Sequence, residues 1–368
     1  MDQLHKKYDL LVVGAGLYGA VLARVFLDYG LSVLVVDKRP EVGGNCRTKE
    51  IEGINVHIYG PHIFHTNEKE IWDFVNRFGE FNNFITKVIA NYHDCLYSLP
   101  FNMNTFYELW GVITPQEAKR RIASEIVECS NPANLEEHVL SLAGREIYEK
   151  LVKGYTEKRW GRSCDKLPAS VMRRIPFRFT YDDNFFNDKY QGIPIGGYTN
   201  LIKNMLDGAD VVLNCDYLDH RHELGNIASQ VVFTGSIDAY YDYKFGALQY
   251  RSLRYEHEVM DTDNYQGCAV INYTSSDVPW MRVVEHKHFE FLDTPKTVVS
   301  KEYTEEWDTE KDPYYPIEDT ANRELYEKYR ELACAEKNVR FGGRLGEYRY
   351  YDMSDTIKSA LATASDLL

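Results

Sequence analysis

Leu10–Val13 is a continuous run of Leu and Val that stops at Gly14-Ala15-Gly16-Leu17-Tyr18-Gly19. Val21, Leu22, Val25 and Phe26 then recur at helical spacing as far as Gly30. A buried strand running through GxGxxG into a helix constrains this chain more than any other feature. The first two glycines permit a sharp turn and let backbone approach a pyrophosphate. The third lets helix and strand pack closely, and the helix start offers unpaired N–H groups to phosphate. Leu31–Val36 reads as a second buried strand, completing a βαβ unit with a right-handed crossover. Asp37 ends that strand, placed to accept hydrogen bonds from ribose hydroxyls. The pattern predicts an α/β, Rossmann-like dinucleotide-binding domain.

The chain has 368 residues, more than the roughly 250–300 at which a single core stops growing, so insertions or further lobes are expected. A helix is predicted over about 68–78, with Asn67 and Glu70 as its capping box and Gly79 as its stop. The pattern of 85–99 is a hairpin turning near 91–94. From 101 to 160 the texture is helical. Thr114-Pro115-Gln116-Glu117 is a capping box with proline at the first turn, Asn134 and Glu137 repeat the signal, Gly144 ends that helix, and another runs into Gly154. Residues 165–191 read as loop. Val211–Cys215 and Val231–Thr234 read as strands returning to the first sheet, and 243–303 is strand-rich and aromatic. A helix over 321–335, a glycine-rich 341–346 and a last helix capped by Ser354 follow. The expected organisation is a discontinuous dinucleotide domain (1–84, 192–240, 317–368), an inserted helical lobe (100–166) and a mainly antiparallel sheet lobe (85–99, 167–191, 241–316).

Lys plus Arg number 42 and Asp plus Glu 56, a net charge of −14. That argues against sequence-independent nucleic-acid binding, which neutralises phosphates with basic surface. The seven cysteines are spread over the chain with no CxxC, so neither a disulfide framework nor a zinc site is expected. With no signal-peptide pattern before the first strand and no apolar run near the ~18 residues that span a bilayer, the expectation is a soluble cytoplasmic protein without membrane insertion.

Asp37 is followed by five residues and then Gly43-Gly44-Asn45. This arrangement resembles the glutathione-reductase-type FAD proteins, as do Val231–Gly235 and Gly342-Gly343-Arg344 with Tyr350, Asp352 and Met353 behind it. The three segments favour FAD over NAD. Five further stretches resemble bacterial UDP-galactopyranose mutase: Tyr59-Gly60-Pro61-His62-Ile63-Phe64-His65, Lys153–Thr156, Arg159-Trp160-Gly161, Pro313–Pro316 and Gly343–Met353. The matches run in the family's order from residue 10 to about 358.

The resemblance implies an isomerase that interconverts UDP-galactopyranose and UDP-galactofuranose without net redox change. Reduced FAD attacks the anomeric carbon through N5, UDP leaves, and the ring opens as an iminium before reclosing. The protein supplies binding and electrostatics, which fits the absence of any Ser/His/Asp or Cys/His arrangement. The resemblance further implies that Arg174 and Arg282 hold the diphosphate, with Arg174 on a mobile loop of about 167–179. It places Tyr155 and Trp160 at uracil, and Tyr315 and Tyr350 at the diphosphate. Thr156 and Asn272 become nucleotide contacts and His65 the catalytic histidine beside the flavin. Implied cofactor contacts are Gly14, Gly16, Leu17, Tyr18, Gly19, Asp37, Lys38, Gly44, Asn45, His62, Ile63, Arg344, Asp352, Met353 and Ile357. His62 and His65, three apart, could also ligate a metal, but no further Cys/His cluster supports one, and none is expected.

Two substrate positions depart from the pattern: Phe185 stands where members carry tyrosine, and Thr86 where some carry asparagine. The alternatives are therefore the same chemistry on UDP-N-acetylgalactosamine or dTDP-fucose, with His62 favouring plain galactose. An FAD-dependent oxidoreductase and a non-catalytic nucleotide-binding module are the rival classes. A homodimer is what the resemblance suggests.

Overall fold

The computed structural model describes residues 7–172 and 177–368. The Leu/Val runs form one five-stranded, wholly parallel sheet in the order 339–341, 228–233, 8–13, 33–36, 210–212. Such runs lack polar alternation because both faces are covered. Leu10, Val12, Val33 and Val35 point to one face, where they pack with helices Leu17–Asp28, Tyr198–Met205 and Met353–Leu367. Leu11, Leu34, Val36 and Val231 point to the other, against Tyr217, Leu224 and Tyr240. The central strand therefore ends its turn into Gly14 in the middle of a fully buried layer.

A second sheet of seven strands has the order 315–316, 250–260, 297–306, 282–285, 270–273, 88–92, 95–99. It is antiparallel throughout except where Val270–Tyr273 runs parallel to Val88–Tyr92. The hairpin expected at 85–99 forms, with His93 and Asp94 at positive φ in its turn. Helices Met103–Trp110, Pro115–Glu125 and Leu135–Ala143 and the helical run from Arg145 to Trp160 bury their own core around Phe106, Ile122, Val139, Tyr148 and Leu151. The chain is thus a Rossmann-like α/β layer, an antiparallel sheet and a helical cluster.

Several local expectations are corrected. Asn67 does not cap the helix Lys69–Asn76: its amide donates to Asp188 and its carbonyl accepts from the Lys189 N–H. The last helix begins at Met353 and is capped by Asp352, which accepts from the Asp355 N–H at 2.8 Å, while Ser354 donates to Thr66. In both places a tertiary partner took the residue that local pattern assigned to a cap. Gly154 does not stop its helix, because a π-helical stretch, Tyr148–Lys153, carries the chain straight into Gly154–Trp160. A Cβ on Gly154 would lie 2.2 Å from the Thr274 carbonyl oxygen, so the glycine is there for close packing against the sheet.

Phe106 is fully buried, with Trp110, Phe177 and Phe179 rings within 6 Å of its own. Phe106→Ala should cost ~3–5 kcal/mol in urea unfolding through the cavity it leaves. The exposed Leu96→Ala should shift the same curve by less than about 0.5 kcal/mol.

Candidate active site

At the C-terminal ends of the parallel strands lies a cavity of about 320 Å³, where open α/β sheets bind ligands. Gly14, Gly16, Leu17, Tyr18, Gly19, Asp37, Lys38, Gly44, Asn45, His62, Arg344, Asp352 and Met353 all line it. Ile63 and Ile357 do not. Ile63 packs against the Phe84–Val88 cluster, and Ile357 is wholly buried beneath the sheet.

Gly14 has φ +116°, and a Cβ there would sit 2.0 Å from Thr234 Oγ1. Gly44, at φ +53°, faces Gly16 so closely that a Cβ would lie 2.9 Å from the Gly16 Cα. Two loops thirty residues apart in sequence thus meet backbone to backbone. The helix that starts at Leu17 has no side chain capping its first turn, leaving those N–H groups free for phosphate. Asp37 does more than its strand-end position implies. Its Oδ2 accepts the Ala15 N–H at 2.7 Å and its Oδ1 the Arg39 N–H at 2.8 Å, so the carboxylate pins the glycine loop from beneath. Arg39, unremarked in the sequence, reaches Asn45 and Asp312 and lies over the Tyr59 ring.

The histidine on this cavity is His62. Its ring Nδ1 is 2.8 Å from the Gly60 carbonyl oxygen, which can only accept, so Nδ1 carries the proton and Nε2 is an acceptor. Burial holds its pKa down at about 4, with Arg344 and Arg282 adding to the effect against the Gly60 bond. His65 sits elsewhere. Its Nδ1 is 2.8 Å from Asp188 Oδ2 and its ring stacks on Phe186 at 3.7 Å. Phe186 in turn meets Phe185 edge-on at 5.1 Å, and the Phe185 N–H donates to the Thr86 carbonyl. His65, Phe185 and Thr86 therefore form a group of their own. The Thr86 hydroxyl is buried with no hydrogen-bond partner among the described residues.

Beside Arg344, outside the lining of that cavity, a chain of contacts links cations and phenols. The Arg344 guanidinium lies over the Tyr350 ring at 5.2 Å, Tyr350 is 5.9 Å from Tyr315, and Arg159 covers Tyr315 at 5.0 Å. Arg282 Nη2 donates to the Tyr155 hydroxyl at 3.2 Å, and its Nε is 3.2 Å from Glu302 Oε2. That approach is an ion pair without hydrogen-bond alignment, since Nε and Glu302 Oε1 are both left without a bonding partner. Burial outweighs the pull of Arg282 and Arg159 and holds the Glu302 carboxyl above its ordinary range. The net result is two arginines against one carboxylate. Asn272, the register partner of Arg282, has a buried side-chain oxygen with no hydrogen-bond partner among the described residues. Thr156 is buried on the Tyr155 helix, and Trp160 packs against the helical core. Arg174 falls outside the described residues.

Lys158 joins this group unannounced by any motif. Its ammonium donates to the carbonyls of Tyr273, Ser275, Val278 and Trp280 at 2.7–3.4 Å. Those carbonyls belong to the loop between Asn272 and Arg282, so one cation ties that loop to the helix bearing Tyr155 and Thr156.

A family model described as UDP-galactopyranose mutase matches residues 150–350, and one described as NAD(P)-binding Rossmann-like domain matches residues 12–78. A dTDP-fucopyranose mutase of Escherichia coli is 40% identical over 365 residues, covering 96% of this chain and 97% of that protein. A probable UDP-galactopyranose mutase of Klebsiella pneumoniae is 41% identical over 370 residues, covering 98% and 94%. The chain belongs to the UDP-galactopyranose mutase family.

A crystal structure of reduced UDP-galactopyranose mutase superposes with TM-score 0.74 at 14% identity, covering 98% of this chain and 95% of that one. Putrescine oxidase shares the fold at TM-score 0.59 and 14% identity, covering 98% and 99%. Members of the UDP-galactopyranose mutase family are flavin-dependent isomerases, and this chain is an enzyme of that kind. The residues present fit the cofactor: side-chain-free backbone at Gly14, Gly16 and Gly44, a bare helix start, and a pinned acid at the strand end.

Gly44→Ala should weaken flavin retention roughly tenfold, since strain at a positive φ and a backbone clash cost on the order of 1–3 kcal/mol. Flavin absorbance per protein after gel filtration measures it. Lys158→Met should leave four carbonyls short of a donor. We expect flavin content to stay at the wild-type level while KM for the nucleotide sugar rises roughly tenfold.

Proposed function

We propose that this chain interconverts the pyranose and furanose forms of UDP-linked galactose, without net redox change, and that it turns over only while its flavin is reduced. The observation that carries this reading is that Arg344, which lines the dinucleotide cavity with His62, is linked by contacts through Tyr350 and Tyr315 to Arg159, with Arg282 and Tyr155 paired close by. A pyrophosphate-linked sugar requires that combination beside a flavin, and a protein of net charge −14 would not gather arginines there by composition alone.

Reduced flavin supplies the nucleophile for the anomeric carbon; the protein's tasks are to bind, orient and keep the departed UDP nearby. Arg282 meets the diphosphate on one side and Arg174, by its resemblance to the family pattern, on the other. Each charge-assisted bond to phosphate contributes roughly 1.5–3 kcal/mol. The Tyr315 and Tyr350 hydroxyls donate to the same oxygens. Tyr155 and Trp160 flank the uracil, with Thr156 and Asn272 as polar contacts. Glu302 holds Arg282 in place and leaves the site net positive. Exclusion of water from the anomeric carbon would protect the activated sugar from hydrolysis. His62 faces the flavin, and His65, the catalytic histidine of the family pattern, is fixed by Asp188 next to the Phe186–Phe185 stack. The protein works as a cytoplasmic homodimer, whose mass sedimentation would give.

Phe185 favours one second reading. It is 37% exposed and offers the sugar an apolar edge in place of a hydroxyl, which suits a 6-deoxy sugar, and a relative of 40% identity is a dTDP-fucopyranose mutase.

The test incubates the flavoprotein, with and without dithionite, separately with UDP-galactopyranose and dTDP-fucopyranose, and resolves products by chromatography. A furanose product from UDP-galactose in the reduced sample alone supports the first reading. Preference for dTDP-fucose transfers the assignment to the second, and no furanose from either refutes the mutase assignment. Arg282→Ala should lower kcat/KM roughly ten- to hundredfold with bound flavin unchanged.

A further inference from the structure

Three histidines outside the candidate active site, the buried His57 and His286 and the half-buried His257, share a hydrogen-bonded chain with Ser300. Its donors and acceptors are all determined. The His57 backbone N–H donates to His286 Nδ1 at 3.2 Å, so that nitrogen is an acceptor and the His286 proton resides on Nε2. His286 Nε2 is 2.6 Å from Ser300 Oγ, and donates to it. The Ser300 hydroxyl proton is then free for its other neighbour, His257 Nδ1, also at 2.6 Å. His257 uses its remaining N–H on the backbone carbonyl of Ile58. At the near end, His57 Nδ1 accepts the backbone N–H of His62 at 3.1 Å. Burial depresses the pKa of all three rings, so each stays neutral with one donor and one acceptor.

The chain grips one segment at three points. It holds the His57 N–H, the Ile58 carbonyl and, through the His57 ring, the His62 N–H. His286 and Ser300 belong to the antiparallel sheet lobe, His257 pairs with Ser300 across two of its strands, and the gripped segment ends on the cavity wall at His62. Phe289, stacked on His57 at 4.6 Å, keeps that ring in plane. A mere core would not need four polar groups in one fixed order, because apolar side chains of similar volume fill such space without requiring matched partners.

We propose that Ser300, His286 and His257 are positioning residues that set where the His62 ring stands against the flavin, acting through the backbone of residues 57–62. This rests on the cavity holding a flavin and is independent of which sugar is turned over. None of the three need touch substrate or cofactor.

The test compares Ser300→Ala and His257→Gln with wild type and with Val139→Ala, a buried substitution in the helical cluster that lowers stability without touching the segment. Bound flavin is read by its visible absorption spectrum and reduction potential, and turnover by kcat and KM on reduced enzyme. Both chain variants should shift the flavin spectrum and potential and lower kcat roughly tenfold, with KM changed less than about twofold. Val139→Ala should leave the flavin spectrum at wild type. His286→Gln, which keeps an acceptor and a donor on one side chain, should restore the spectrum more fully than His286→Ala. Unchanged flavin spectrum and potential in folded Ser300→Ala and His257→Gln would overturn the proposal, as would an equal spectral shift in Val139→Ala. A wild-type protein that binds no flavin would overturn it together with the cofactor assignment, whereas a yellow wild type with no mutase activity leaves this test intact.

Discussion

One buried carboxylate governs the substrate side of this molecule. Glu302 lies inside the antiparallel sheet, and burial raises the cost of its charge. Among the described residues Arg282 and Arg159 offset that charge, and in doing so they are held beside the Tyr155 and Tyr315 phenols. Removing the acid would leave two desolvated cations repelling each other; removing an arginine would strand the acid. In the proposed function, that excess of one positive charge is set against the diphosphate. Because long-range repulsion from a strongly acidic surface is screened within about 10 Å at ordinary salt, a local excess of this kind suffices to attract an anion.

The arginines would be useless without the seam that aligns them. Tyr155 comes from the helical run and Arg282 from the sheet, and their contact at 3.2 Å requires the two elements to meet at one register. Gly154 lets the helix backbone approach the Thr274 carbonyl. Lys158 then binds four carbonyls of the same loop, doing for irregular backbone what a ladder does for strands. Thr274 and Thr304 add hydroxyl bonds to the Lys150 and Lys158 carbonyls. The seam is polar and directional, so it specifies one alignment rather than a range of slides.

The cofactor side is organised differently. There the protein withholds side chains. Gly14, Gly16 and Gly44 bring bare backbone together around the strand end, and Asp37 braces the loop through the Ala15 N–H instead of leaving both oxygens to a ribose. The histidine chain from Ser300 to His62 connects the two sides, carrying the sheet's geometry to the cavity wall.

What the sequence determined by itself was everything with a local cause. The strand, glycine loop and helix from Leu10 to Gly30, the acid at the second strand's end, the capping box at Thr114 and the hairpin near Asn91 follow from spacing within a few residues, and all stand in the structure. Family motifs extended that reading to Arg282, Tyr155, Tyr315 and Tyr350, which do converge. Tertiary structure decided the rest. Asn67 and Ser354 carry cap-like patterns yet spend their side chains on Asp188 and Thr66, since a distant partner outbids a local one only once the chain has folded. His62 and His65 sit three apart on one short stretch, and local pattern cannot tell them apart. One ring faces the cavity and the other meets Asp188 because different lobes close over them. Glu302 and Lys158 lay unmarked among many acids and lysines. Lys158 gains its significance from carbonyls more than a hundred residues away and Glu302 from burial against Arg282 on the neighbouring strand, properties of packing that no spacing encodes.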